Sequence, residues 1–343
     1  MAKTKRNVLF IILAVVILAA GGIFVYIKSF LDAEFRIKGT VYIYVDKEKS
    51  FDAVLTQMDT TAHISDLNAF KRLAAYMKYP DNMKTGRYAI TPDMSIQEVI
   101  SDLKGGHQAP VKLKFNNIRT KEDLAKRLAS QLMITEDELM ATFNNEESCS
   151  KLGFTTETIL CMFIPNTYEV YWDVSLENFL KRMKDEYSKF WTDERKAKAE
   201  KVGLTPGEVS ILASIVEEEC YFSDEYPVVA RLYLNRLRLG QLLQADPTVK
   251  FAVGDFSLKR ILFEHLQVDS PYNTYKHLGL PPGPIRVASI KGIEAVLNPA
   301  EHDYLYMCAK EDFSGRHNFA VTHAEHVKNA NRYRAALNQR KIY

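Results

Sequence analysis

The chain has 343 residues, with 45 Lys plus Arg against 43 Asp plus Glu, a net charge of +2 and 47% apolar residues. Such a chain is folded and long enough for two or three domains. Its nearly balanced charge, with no dense Lys/Arg block in the body of the sequence, excludes a general electrostatic affinity for nucleic acid.

Val8 to Ile27, VLFIILAVVILAAGGIFVYI, carries no charged residue. It matches the roughly 20 residues that a helix needs to cross a bilayer. Lys3, Lys5 and Arg6 precede it, which places the N-terminus in the cytoplasm and the remainder outside. Residues 1–28 are therefore expected to form a cytoplasmic tip and a transmembrane anchor. A cleaved signal peptide is the other reading, but the run is long for one and no clear A-x-A site follows.

VYIYV (Val41 to Val45) and GRYAI (Gly86 to Ile90) read as strands, and helical patterns fall at Ser50–Met58 and Ile64–Met77. Ser95 and Glu98 form a capping box ahead of the stripe Ile96, Val99, Ile100 and Leu103. KGG (Lys104 to Gly106) ends that helix, and PVKLKF (Pro110 to Phe115) alternates as a strand. Residues 37–115 thus form a small α+β module. Helices are expected at Thr120–Leu132 and Thr135–Phe143, a loop or edge segment at Phe163–Trp172, and one long charged helix at Leu176–Val202. These make 116–202 a helical linking region.

Residues 203–343 carry the chemistry. TPGE (Thr205 to Glu208) starts a helix that runs to about Cys220. Its apolar residues Ile211, Leu212, Ile215 and Val216 share a stripe, and Glu219 falls on that stripe at helical spacing. Glu217 points roughly opposite and Glu218 lies on the flank, so both read as solvated and replaceable by Gln. A carboxylate on an apolar face is costly unless paired, protonated or employed. Burial raises its pKa and makes it a candidate general acid. Alternatively the helix ends there and Glu219 turns out to water.

A second helix, capped by Ser223 or Asp224, runs to Gly240 with Val228, Val229, Leu232, Tyr233 and Leu237 as its core face and Asn235 and Arg236 close by. The loop LQADPTVKF (Leu243 to Phe251) carries Gln244, Asp246 and Thr248. The loop SPYNTYKHLGLPPGPI (Ser270 to Ile285) offers Tyr272 and Tyr275 as rings and Asn273 and Thr274 as hydrogen-bonding groups. It is either functional or a rigid connector. Cys149, Cys161, Cys220 and Cys308 include one plausible disulfide pair, Cys149 with Cys161, but buried free thiols are the plainer reading. His317, His323 and His326 come without a further ligand cluster of metal spacing, so no metal is expected.

ASIVEEE, NRL, LQADPTV, SPYNTYKHLGLPPGPI, Asn298–Pro299 and GRHNFAVTHAEH occur in one order. Together they resemble the endolytic murein transglycosylases of the MltG (YceG-like) family. The resemblance implies an α+β protein with an N-terminal transmembrane helix, a LysM-like module and a mixed α/β catalytic domain. It sits in the bacterial cell membrane with that domain on the extracytoplasmic side. It also implies cleavage of peptidoglycan between N-acetylmuramic acid and N-acetylglucosamine, leaving a 1,6-anhydro end, without a cofactor. Glu219 takes the place of the family's catalytic acid. Gln244, Asp246, Thr248, Asn273, Thr274, Tyr275 and Asn235 are the substrate-binding residues expected around it. The partners implied are glycan strands and the proteins of cell-wall synthesis or division.

Two positions depart from the pattern. Asn166 stands where many relatives have Asp, and NNIRT (Asn116 to Thr120) replaces the usual EG. Two other functions are open to such a sequence. A peptidoglycan-binding scaffold would use the same cleft without cleavage. An aminodeoxychorismate lyase would need pyridoxal phosphate, a Schiff-base lysine and a cytoplasmic substrate, and no lysine is marked by such a motif.

Overall fold

The computed structural model describes residues 12–22, 34–258 and 260–340. Residues 12–22 are helical with exposed apolar side chains. The rest of the expected anchor, Val8–Ile27, lies outside the described residues. Among the described residues no helix is long and apolar enough to cross a membrane.

The chain divides into two compact units. The first runs to Lys112 and adds Gln131–Met133 and Glu169–Val174; the second takes Leu113–Ser130, Ile134–Tyr168 and everything from Ser175. The segment expected as a linking region therefore falls mostly within the second unit.

In the first unit, β1 (Val41–Val45) pairs antiparallel with β2 (Gly86–Ile90), Ile43 opposite Tyr88. The alternating inner residues of both strands meet α1 (Phe51–Thr60), α2 (Leu67–Tyr76) and α3 (Ile96–Gly105) in a core built on Met58, Phe70 and Ile100. Each large apolar side chain buried there contributes roughly 1.5–3 kcal/mol. Gly86 has φ +147°, and a Cβ on it would meet the Gln108 side chain at 2.5 Å. That close approach lets Gln108 and Thr85 hold Asp173 at 2.9 and 2.6 Å.

A second two-stranded sheet joins β3 (Val111–Lys114) to β4 (Thr167–Val170). The second unit contains α4 (Lys121–Ala129), α5 (Glu136–Phe143) and α6 (Glu146–Lys151). The long charged helix expected at 176–202 is two helices, α7 (Leu176–Phe190) and α8 (Asp193–Lys201). Trp191, 1% exposed, plugs into the core between them. Thr192 then caps α8 by accepting the Arg195 N–H. This capping competes with helix continuation and wins once the indole has a pocket.

α9 (Pro206–Glu219) is the central helix, packed against α8, α10 (Tyr226–Arg238), α11 (Asp246–Val253) and α12 (Ile290–Leu297). It is buried continuously from Val209 to Glu217. α10 begins at Tyr226, with Pro227 in its first turn and Glu225 as its N-cap. The stretch expected as a loop around Asp246 is the start of α11, where Pro247 suits the first turn. β5 (Tyr306–Ala309) and β6 (His317–Ala320) form an antiparallel pair, with α13 (His323–Gln339) packed on it. All four cysteines are free thiols: Cys149, Cys161 and Cys220 are buried and Cys308 is half-buried.

Candidate active site

The last turn of α9 sends three carboxylates in three directions. Glu217 is not solvated; its side chain is 3% exposed. It accepts the Ser289 N–H at 2.7 Å and the Ser289 hydroxyl at 2.5 Å, and lies 3.4 Å from the Arg286 guanidinium. Ser289 is the N-cap of α12, so Glu217 also faces the positive end of that helix. Gly292, in the first turn of α12, packs so closely on this carboxyl that a Cβ there would overlap it. Glu218 is held by Arg286 at 2.8 Å and Arg119 at 3.1 Å. Arg119 belongs to the NNIRT stretch, whose Asn117 also accepts from Arg286 at 3.1 Å. The expectation of a solvated Glu217 is corrected: a helical wheel assigns one face to water, whereas α9 is buried on every side from Val209 to Glu217.

Among the described residues, Glu219 has no cationic partner in contact. Its Oε1 accepts the Tyr233 hydroxyl of α10 at 2.8 Å. Desolvation pushes the Glu219 pKa up to about 7, against the lowering effect of the Tyr233 hydrogen bond. Asp246 adds to the rise, while Arg236 and Lys250 oppose it. The C-terminal end of α9 is itself a poor place for a negative charge. Tyr233 is driven well above its ordinary value by its own burial and by Glu219, so it stays a donor.

Glu219 opens into a cavity of about 250 Å³. Tyr233 and Arg236 of α10, Gln244 and Asp246 at the start of α11, Tyr275, Met307 to Ala309 of β5 and His317 of β6 complete the walls. Asp246 accepts the Tyr275 hydroxyl at 2.6 Å. Gln244 has a left-handed φ of 52°, which its N–H bond to the Thr274 carbonyl at 3.1 Å holds in place. Arg236 donates to the carbonyls of Leu305 at 2.6 Å and Leu243 at 2.7 Å, tying two walls together.

Of the residues expected around Glu219, the structure brings Gln244, Asp246 and Tyr275 to the cavity and turns the other four into its frame. Thr248 and Thr274 are buried and share a hydroxyl bond of 2.8 Å; Thr274 also accepts the Ala245 N–H. Asn273 donates to the carbonyls of Leu266 and Val268 and accepts the Tyr275 N–H. Asn235 donates to the carbonyls of His302 and Tyr304. These bonds brace the backbone segments around the cavity. Tyr272 packs on Phe251 with ring centroids 4.7 Å apart. Asn166 accepts the Thr167 N–H at 2.8 Å, a turn contact that needs no charge.

Arg236, Tyr233, His317 and the β5 wall line the cavity without having been expected there. Tyr233 carried a signal, since its helical face is shared with the core. β5 and β6 carried none, because they reach the site only through tertiary contacts.

One carboxyl group, kept protonatable near neutral pH at the end of a polar open cavity, defines a site for acid–base chemistry by a single acid. The chain belongs to the YceG-like family, whose model matches residues 43–332. It is 28% identical over 340 residues to the endolytic murein transglycosylase of Bacillus subtilis (strain 168), covering 94% of this chain and 93% of that one. The enzyme of the same name from Streptococcus pneumoniae (strain ATCC BAA-255 / R6) is 24% identical over 364 residues. That match spans 96% of this chain but 65% of the pneumococcal protein. The crystal structure of a YceG-like protein from Listeria monocytogenes superposes with a TM-score of 0.56 at 26% identity, over 85% of this chain and 99% of that one. The mixed α/β fold is thus that of the family.

Proposed function

We propose that the protein is an endolytic murein transglycosylase in which Glu219 is the sole acid and base. The observation that carries this is Glu219 itself, a cavity carboxyl held by a tyrosine and, among the described residues, without a cation in contact. Protonated, it donates to the glycosidic oxygen as the bond from C1 breaks. As a carboxylate it then takes the proton of the sugar's own C6 hydroxyl, whose oxygen bonds to C1 and closes the 1,6-anhydro ring. The substrate supplies the nucleophile, so the carboxylate pair of ordinary glycosidases is not needed. Asp246, oriented by Tyr275, keeps negative charge near the positive centre that develops at C1 and raises the proton affinity of Glu219. Gln244 offers an amide to the sugar.

The first unit acts as a LysM-like glycan-binding module, and Val8–Ile27 anchors the chain in the cell membrane with the catalytic unit outside the cytoplasm. Cell-wall synthesis or division proteins are the partners this location implies. Incubating full-length protein with purified peptidoglycan, and reading the new chain ends by mass spectrometry, tests the reaction. Anhydro ends from internal cuts, absent with Glu219→Gln, are expected. Reducing ends would refute the one-carboxyl mechanism, and unchanged cleavage by Glu219→Gln would remove Glu219 from the chemistry.

A further inference from the structure

Immediately behind the cavity wall, three side chains from three separate elements converge. Cys220 closes the C-terminal end of α9, Glu225 is the N-cap of α10 and His317 opens β6. Their ligating atoms, a thiol sulfur, a carboxylate oxygen and an imidazole nitrogen, all lie within 4.8 Å of one another. Cys220 and Glu225 are 5% and 7% exposed. His317 is half-buried and also lines the cavity, so the cluster is enclosed behind and open toward the cavity.

We propose that Cys220, Glu225 and His317 form a binding site for a divalent cation of the zinc class. Sulfur, nitrogen and oxygen together are a borderline-soft donor set, which suits Zn²⁺ and disfavours Mg²⁺ or Ca²⁺. A tetrahedral zinc with ligands at roughly 2.0–2.3 Å needs donor atoms roughly 3.3–3.8 Å apart, so no pair has to close by more than about 1.5 Å. Glu225 and His317 are already 3.1 Å apart. Glu225 is also oriented by the His317 backbone N–H at 3.1 Å, so carboxylate and imidazole are fixed to each other before any ion arrives. Three protein ligands leave a fourth position, filled by water or by a donor on a molecule in the cavity. On binding, Cys220 gives its proton to solvent and His317 ligates as a neutral ring. The site is one residue beyond Glu219, so it couples metal availability to the cavity.

The other histidines do not join it. His323 and His326 of α13 pack against the Tyr306 ring instead. No spacing in the sequence marks the cluster, because its members lie in separate parts of the chain.

The test uses metal-stripped full-length protein titrated with Co²⁺ alone, followed by Zn²⁺ competition. A thiolate-to-cobalt charge-transfer band that saturates at one equivalent and is bleached by Zn²⁺ is expected. Cys220→Ser should lose the band and bind Zn²⁺ at least about tenfold more weakly. Cys308→Ser, which alters a cavity thiol outside the cluster, should keep both. Zn²⁺ should raise the unfolding temperature of the wild type and not that of Cys220→Ser, which separates lost binding from a misfolded variant. No charge-transfer band in the wild type, or a band that persists in Cys220→Ser, overturns the assignment and leaves an ordinary Glu–His pair beside a buried thiol. None of these readings depends on cleavage of peptidoglycan.

Discussion

Glu217 and Glu219 leave the same turn of α9 and meet different surroundings. Glu217 enters a pocket finished by others: an arginine, a serine and the start of α12 satisfy its oxygens, and Gly292 leaves no room to move. Glu219 enters a space that protein leaves empty, with one tyrosine as partner. The same turn therefore supplies a structural tie in one case and, where desolvation raises the pKa, a group able to hold a proton near 7 in the other. What separates them is whether the compensating charge is built in. Desolvation lets Glu219 hold a proton near neutral pH.

The comparison breaks most clearly by mutation. Glu219→Gln should reduce cleavage about 10²–10⁴-fold, the usual worth of a general acid–base group, without loss of fold by circular dichroism. Glu217→Ala should instead cost about 3 kcal/mol or more of stability in denaturant unfolding, because it strips the partner from a buried charge and from the cap of α12. If Glu217→Ala unfolds like wild type, the pocket around it is not the anchor described here.

Titration sharpens the contrast. With a chelator present, activity should fall as pH rises through about 7, as Glu219 loses its proton. The folded value lies above the ordinary 4.5, so the native state holds this proton more tightly than the unfolded chain. Ionisation thus costs stability as pH climbs from 4.5 to about 7. Glu219→Gln escapes that cost, and should be more stable than wild type at pH 8 by up to about 3 kcal/mol, with no gain below pH 4.5. Tyr233→Phe removes a bond that favours the carboxylate, and should move the alkaline limb of the rate profile upward by roughly half to one pH unit. A downward move would mean that the tyrosine does not stabilise the charged form. The smallest effect belongs to Glu218→Gln, whose part-exposed pairs with Arg119 and Arg286 are worth about 1 kcal/mol or less.

The sequence carried the position of Glu219 in its helical spacing, and the start of α9 in Thr205 and Glu208. Helix starts were legible because their signals are local: Ser95 with Glu98, Thr120 with Asp123 and Thr135 with Glu138 all form boxes in the structure. Thr192 and Pro247 carried equally local signals for α8 and α11, hidden by a charged run and by a loop-like composition. Burial on every side of α9 could not be read, because it depends on four other helices. The roles of Asn235, Thr248, Asn273 and Thr274 were invisible for the same reason. A polar side chain looks alike in sequence whether it faces a ligand or a buried carbonyl.

The cavity wall formed by β5 and β6 bears on how the chain matures. Glu219 and its tyrosine are in place once α9 and α10 have met, yet Met307 to Ala309 and His317 come much later in the chain. During synthesis the residues of the acid thus precede those of the β5 and β6 wall. A nascent or clipped chain lacking its last two strands carries the reactive group with nothing to direct it. Cutting the chain before β5 should therefore abolish cleavage while leaving Glu219 and Tyr233 in the protein.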